Sequence, residues 1–355
     1  MKPTEPSEHV VETKAGDARV TERLARVHVI ATGGTISYSV PGRLDFVDYA
    51  TTGMQTDAST LLERVPELEA IAEVSVEQLF QEDGVTRSVG PSEWITIAAR
   101  CSELFDSDDE LDGIVVTHGS VAAEETAYFL NLVIKDKRPV VVTAAQRPSG
   151  AMGSDAETNL YDAVRVAASR DARGKGVLIV LNNEIHAARE ATKGSTYRLE
   201  AYLPNDLGYL GYADPDRICF YSAPTRRHTF NSEFNIPSWN RIPWIEVLYV
   251  HSASDERSVQ RLVHEELDGI IIAAMGAGAM TPKMQMAMAQ ISHLEIPVVL
   301  SSRVGAGRVI RSAAMKRDGY ITADNLNPQK ARILLSLAIG HSYGREQLQR
   351  IFDEY

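Results

Sequence analysis

Two stretches of the chain share one build, and that build limits the fold more than any other feature. Val27-His28-Val29-Ile30-Ala31 is a short apolar run that passes directly into Thr32-Gly33-Gly34-Thr35. A run of this length bounded by glycine reads as a buried strand turning out of a sheet. Paired glycines allow a sharp turn and a close backbone approach, because neither carries a Cβ. Gly113-Ile114-Val115-Val116-Thr117-His118-Gly119-Ser120 repeats the pattern, and the helix-like Glu124-Glu125-Thr126-Ala127-Tyr128-Phe129-Leu130 follows it. Thr35 and Ser120 are therefore expected at the carboxyl ends of two strands, where open α/β sheets hold their ligands. Two hydroxyls delivered to one sheet edge read as a site.

The rest of the chain alternates in the same manner. Residues 1–24 form a polar extension without periodicity. Ile36 to about Thr56, with Tyr38, Pro41, Tyr49 and Gly53, reads as a long irregular loop, a kind of segment that is usually functional. Leu61 to Ile71 has a helical look that Pro66 interrupts, and Val74 to Phe80 has the character of a strand. Pro91 opens a helix through Arg100, Pro139 to Thr143 is strand-like, Asn159 to Ala168 helical and Gly176 to Leu181 a strand. Strands alternating with helices imply βαβ units around a parallel sheet. Residues 222–243, with Pro224, Pro237 and Pro243, have a linker composition, after which the alternation restarts on a smaller scale. Strands are expected at Glu246–Val250, Gly269–Ala274 and Pro297–Leu300, and helices at Asp255–Leu267, Pro282–Ile291, Pro328–Ile339 and Arg345–Phe352. The expectation is an α/β protein with a larger domain over 25–221, a linker over 222–243 and a smaller domain over 244–355.

At 355 residues the chain has length for two domains, each with its own core. A formal charge of −12 argues against a nucleic-acid partner, which would need a basic surface. No apolar run approaches a membrane span, and Met1 to Val20 lacks the apolar stretch of a secretory signal. Cys101 and Cys219 read as separate thiols, and no Cys/His spacing suits a metal. The expectation is a cytoplasmic protein without metal or cofactor.

Lys193, in Arg189-Glu190-Ala191-Thr192-Lys193-Gly194-Ser195, is the third residue of interest. Most lysines are solvated surface groups. A lysine beside a serine hydroxyl, however, accepts its proton when desolvation lowers the amine pKa. Together with Ala31-Thr32-Gly33-Gly34-Thr35-Ile36 and Thr117-His118-Gly119-Ser120, further stretches stand in a telling order: Ala145-Gln146-Arg147-Pro148, Asn159-Leu160-Tyr161-Asp162-Ala163, Thr192-Lys193 and Leu326-Asn327-Pro328-Gln329-Lys330-Ala331. From about residue 25 onward the chain resembles the bacterial-type L-asparaginase/glutaminase family of amidohydrolases.

That resemblance implies a flavodoxin-like N-terminal domain, a smaller α/β C-terminal domain and a homotetramer built from tight dimers. It implies Thr35 as the nucleophile, with Tyr49, or alternatively Tyr38, as the loop tyrosine that helps activate it. Ser120 would be the second hydroxyl and Lys193 the lysine paired with it. The backbone around Ala145 would contact the amide being cleaved, and Thr86 and Arg87 would hold the substrate carboxylate. Some transfer-RNA amidotransferase subunits share this fold, but the acidic charge and the lack of an added domain weigh against that role.

The departures are informative. Where the family has an aspartate that orients the lysine and grips the substrate's α-ammonium, this chain has Val121. An asparagine of the C-terminal domain appears as Ala279, and a glutamate supplied by a neighbouring subunit is replaced within Ala313-Ala314. An ammonium without partners is costly to bury. The reading is an amidohydrolase that cleaves a carboxamide or lactam through a threonine acyl-enzyme, on a substrate other than free L-asparagine. The alternatives are L-asparaginase with a rearranged amino-group site and a catalytically silent binding paralogue.

Overall fold

The computed structural model describes residues 23–82, 85–86, 89–264, 266–291, 295–341 and 343–355, without side chains at 81–82, 85–86 and 263–264. The polar extension thus lies outside it, save for its last two residues.

The larger domain is built on an eight-stranded sheet. Its parallel part comprises β1 (Ala25–Ala31), β2 (Ala72–Gln78), β3 (Leu111–Thr117), β4 (Val140–Thr143) and β5 (Val177–Leu181). They lie in the order β2-β1-β3-β4-β5, the flavodoxin-like order, whose direction reverses between β1 and β3. Helices cover both faces, so β3, β4 and β5 read as nearly unbroken apolar runs, while the edge strand β2 alternates. Side chains still alternate by face. Ile30, Ile114, Val116, Val140 and Val142 pack with α1 (Pro91–Ser107) and α2 (Ala123–Val133), while Val27, Val29, Val115 and Val141 pack with α3 (Ala156–Ala168).

The sequence misleads in three places. The sheet is mixed: β6 (Glu184–Ala187), β7 (Gly211–Ala213) and β8 (Ile218–Phe220) extend it antiparallel, because the Asn182-Asn183 turn takes positive φ at both residues and folds β6 back on β5. The segment after β1 is not structureless, since Tyr38–Ser39 pairs antiparallel with Met54–Gln55 around the single helical turn Tyr49–Thr52. As expected, Pro66 interrupts the helical stretch, which runs as Ala58–Glu63 and then as the 3-10 segment Pro66–Ala70. The helix expected over Asp255–Leu267 is α-helical only over Glu256–Gln260 and continues as 3-10 over Arg261–His264.

In the smaller domain four parallel strands stand in chain order: β9 (Ile245–Tyr249), β10 (Gly269–Ala274), β11 (Val298–Ser302) and β12 (Ile321–Thr322). Its longer helices are α4 (Pro282–Gln290), α5 (Pro328–Ile339) and α6 (Arg345–Glu354). The two domains do not keep wholly separate cores. Tyr128 and Phe129 of α2 belong to one buried cluster with Ile271, Val299, Leu334 and Phe352, so α5 seals the face of the larger domain that carries α2. Met280, Met284 and Met288 form a core confined to the smaller domain.

Candidate active site

β1 and β3 flank the point where strand order reverses, and each releases its chain into a glycine turn there. Thr32 ties the turns together: its N–H and its hydroxyl both donate to the Thr117 carbonyl, at 3.1 and 2.7 Å. Gly34 has φ 87° and ψ 178°, a conformation open essentially to glycine alone. A Cβ at Gly34 would lie 2.4 Å from the Gly119 nitrogen, so the two turns touch backbone to backbone. Thr35 and Ser120 are the next residues on either side of that contact.

Each hydroxyl has a partner. Thr35 Oγ1 lies 2.7 Å from the Tyr49 hydroxyl. The Tyr38 ring stands edge-on to that of Tyr49, with centroids 5.6 Å apart, and supports it. Ser120 is buried, and its Oγ accepts a hydrogen bond from Lys193 Nζ at 3.0 Å. The two-residue strand Thr192–Lys193 pairs with Tyr202–Leu203, and the Tyr202 hydroxyl donates to the Ser120 carbonyl at 2.7 Å. Burial pushes the Lys193 amine pKa down from its ordinary value, while the Glu124 and Asp155 carboxylates pull it the other way. A depressed pKa favours the neutral amine, the form able to take a proton from Ser120.

The other expected residues are placed less uniformly. Ala145 is fully buried just past β4. The Asp155 carboxylate accepts from the Gln146 and Arg147 N–H groups at 2.8–3.1 Å, so these two donors are already engaged. Val121 is 82% exposed, an apolar side chain standing in the open beside Ser120. Thr86 lies in the short strand Val85–Thr86, but its side chain and the whole of Arg87 are outside the described residues. Ala279, bridged to Met275, and Ala313-Ala314, at the start of a short helix, are exposed on the smaller domain.

Comparison with known proteins agrees with this architecture. The family profile Asparaginase, N-terminal matches residues 26–226, and that of the Glutaminase/Asparaginase C-terminal domain matches residues 244–352. The chain belongs to the asparaginase family. Among its relatives, a glutaminase-asparaginase of Pseudomonas fluorescens biotype A is 37% identical over 97% of this chain and 94% of its own. L-asparaginase 2 of Bacillus subtilis (strain 168) is 33% identical over 99% of this chain and 92% of its own. A crystal structure of a probable cytoplasmic L-asparaginase from Campylobacter jejuni superposes with a TM-score of 0.86 at 33% identity, covering 93% of this chain and all of that one.

Within this asparaginase fold, several site residues gain their place only in three dimensions. Glu124 accepts the Lys193 backbone N–H at 3.2 Å, and Asn327 Nδ2 reaches both Glu124 and the Thr192 hydroxyl at 3.3 Å. Lys330 is completely buried, and its Nζ donates to the carbonyls of Ala188, Arg189 and Ala191, just ahead of Thr192. The Leu326–Ala331 motif therefore braces the strand that carries Lys193. Gln146 accepts from Lys193 Nζ at 3.2 Å. Glu124, Gln146, Lys193, Asn327 and Lys330 all sit in stretches visible in the sequence only as strings; their contacts span up to 203 positions of chain. Among the described residues no His, Cys, Asp and Glu cluster could hold a metal ion, and no helix is long and apolar enough to cross a membrane.

Proposed function

We propose that the chain is an amidohydrolase that cleaves a carboxamide or a lactam through a covalent threonine ester. The observation that carries this reading is the meeting of two hydroxyl–partner pairs, Thr35 with Tyr49 and Ser120 with Lys193, at turns in backbone contact. Thr35 Oγ1 attacks the carbonyl carbon and gives up its proton through Tyr49, forming a C–O bond. Backbone N–H groups hold the developing oxyanion. The C–N bond breaks as the nitrogen takes a proton from the Ser120–Lys193 relay, and ammonia or an amine departs. Water then attacks the ester and gives its proton to the Ser120–Lys193 relay, and the acid leaves as Thr35 Oγ1 recovers through Tyr49 the proton it gave up.

The substrate lacks a free α-ammonium or carries it masked. Val121, Ala279 and Ala313-Ala314 support this, since each is apolar where the resemblance expects a group to grip that charge. The relatives' own names favour a second reading, asparagine or glutamine as substrate. The homotetramer belongs to the same proposal, and the exposed Val121 and Ile310 support a second copy covering them; light scattering of the purified chain tests it. Cytoplasmic residence is supported by two unpaired cysteines, one of them buried.

The test is a hydrolysis screen over asparagine, glutamine, N-acyl amides, simple amides and lactams, run with wild type and Thr35→Ala. The expected result is turnover of a neutral amide by wild type and a loss of several orders of magnitude in the variant. A folded Thr35→Ala protein retaining more than about a tenth of the rate rules out Thr35 as nucleophile.

A further inference from the structure

The amine of Lys193 is held by two side chains, and only one of them is the serine it serves. The other is Gln146, whose Oε1 lies 3.2 Å from Lys193 Nζ. Gln146 is itself firmly placed, since Asp155 accepts its backbone N–H and Asp155 in turn accepts from Asn159 Nδ2 at 2.9 Å. The far half of its amide differs: Nε2 is sealed from solvent and has no acceptor among the described residues. A buried donor without an acceptor is unusual in a protein interior. The one side-chain contact this amide makes among the described residues is thus with Lys193.

We infer that Gln146 is the positioning residue of the proton relay, taking over as a neutral acceptor the orienting task that Val121 cannot perform. This rests on the reading of Ser120 and Lys193 as a relay. A carboxylate beside Lys193 would both aim the amine and stabilise its charged form, whereas a neutral amide oxygen aims it with a much weaker pull on the proton. The charged and titratable surroundings are consistent with that division. Glu124 and Asp155 act on the amine from a helix and a turn, the Tyr202 ring lies 5.9 Å away, and Glu125, Arg303 and Arg332 line the cleft that Lys193 borders. The direct contacts of Nζ itself are nonetheless two neutral oxygens, Ser120 Oγ and Gln146 Oε1.

The test replaces the amide by its isosteric acid and by an apolar side chain of similar length. Lys193 reactivity toward acetic anhydride is measured against pH by mass spectrometry in wild type, Gln146→Glu and Gln146→Met, alongside the pH profile of kcat/KM on the best amide. In Gln146→Glu the labelling midpoint is expected to rise by about one unit or more, as an opposite charge at this range causes. The rising limb of kcat/KM moves with it, so activity about one unit below the limb falls roughly tenfold and recovers at higher pH. In Gln146→Met the midpoint stays at or below that of wild type. An unchanged midpoint in Gln146→Glu, or a raised one in Gln146→Met, overturns the inference. Labelling needs no turnover, so a wild type that hydrolyses none of the amides defeats the proposed function while the labelling arm still decides whether the residue at 146 sets the charge state of Lys193.

Discussion

At the scale of single residues, the site is a matter of which atom faces which. Ser120 and Lys193 are 73 positions apart in sequence and 3.0 Å apart in space, and a lysine contributes to proton transfer only if it is held there partly desolvated. If the two residues serve one step, Ser120→Ala, Lys193→Ala and the double variant lose kcat to similar extents, because removing either member already disables the unit. Losses that multiply, measured in the same assay, would return Lys193 to the status of an ordinary lysine. The hydroxyls themselves were legible in the sequence, since glycine-bounded strand ends announce them. Gln146 was not. It stands in a quoted motif, but nothing in a string of letters tells that its side chain, rather than the Ala145 backbone, meets the lysine.

At the scale of elements, the structure explains why a motif in the smaller domain belongs to a site in the larger one. Asn327 caps α5 by accepting from the Lys330 N–H at 3.0 Å, and α5 then carries Lys330 into the turn before Thr192. Three carbonyls depend on that one ammonium, with Glu124 3.9 Å away. Lys330→Met leaves them buried and unpaired, a loss on the order of 3–5 kcal/mol of unfolding free energy. The pH dependence has a definite sign. Burial pushes the Lys330 pKa down from 10.5 to about 8. Between those values the unfolded chain binds more protons than the folded one, so this group's contribution to stability rises with pH. Urea unfolding of wild type and Lys330→Met is expected to show a difference in stability that widens from pH 8 to pH 10.5. A constant difference across that range would show that Lys330 does not titrate there. The sequence foretold α5 to the residue, because Pro at its start and a regular apolar spacing define it. What it packs against depends on contacts from distant chain, which local periodicity does not carry. The same reason hid the antiparallel β6, β7 and β8, which are short and joined by turns whose geometry decides their direction.

At the scale of the molecule, the flavodoxin-like order of five strands sets the position of the site, and the asparaginase family sets the kind of chemistry it supports. Under the proposed function, Val121 in the larger domain and Ala279 with Ala313-Ala314 in the smaller one are apolar at positions where the family resemblance implies partners for a substrate ammonium. The most direct measurement is the ratio of kcat/KM on asparagine to kcat/KM on the best neutral amide, taken for wild type and for Val121→Asp. The account predicts a ratio well below one for wild type. It also predicts a rise in Val121→Asp, because an ionised carboxylate forms charge-assisted hydrogen bonds with an ammonium and gains nothing against an apolar group. A wild type that already prefers asparagine would contradict it.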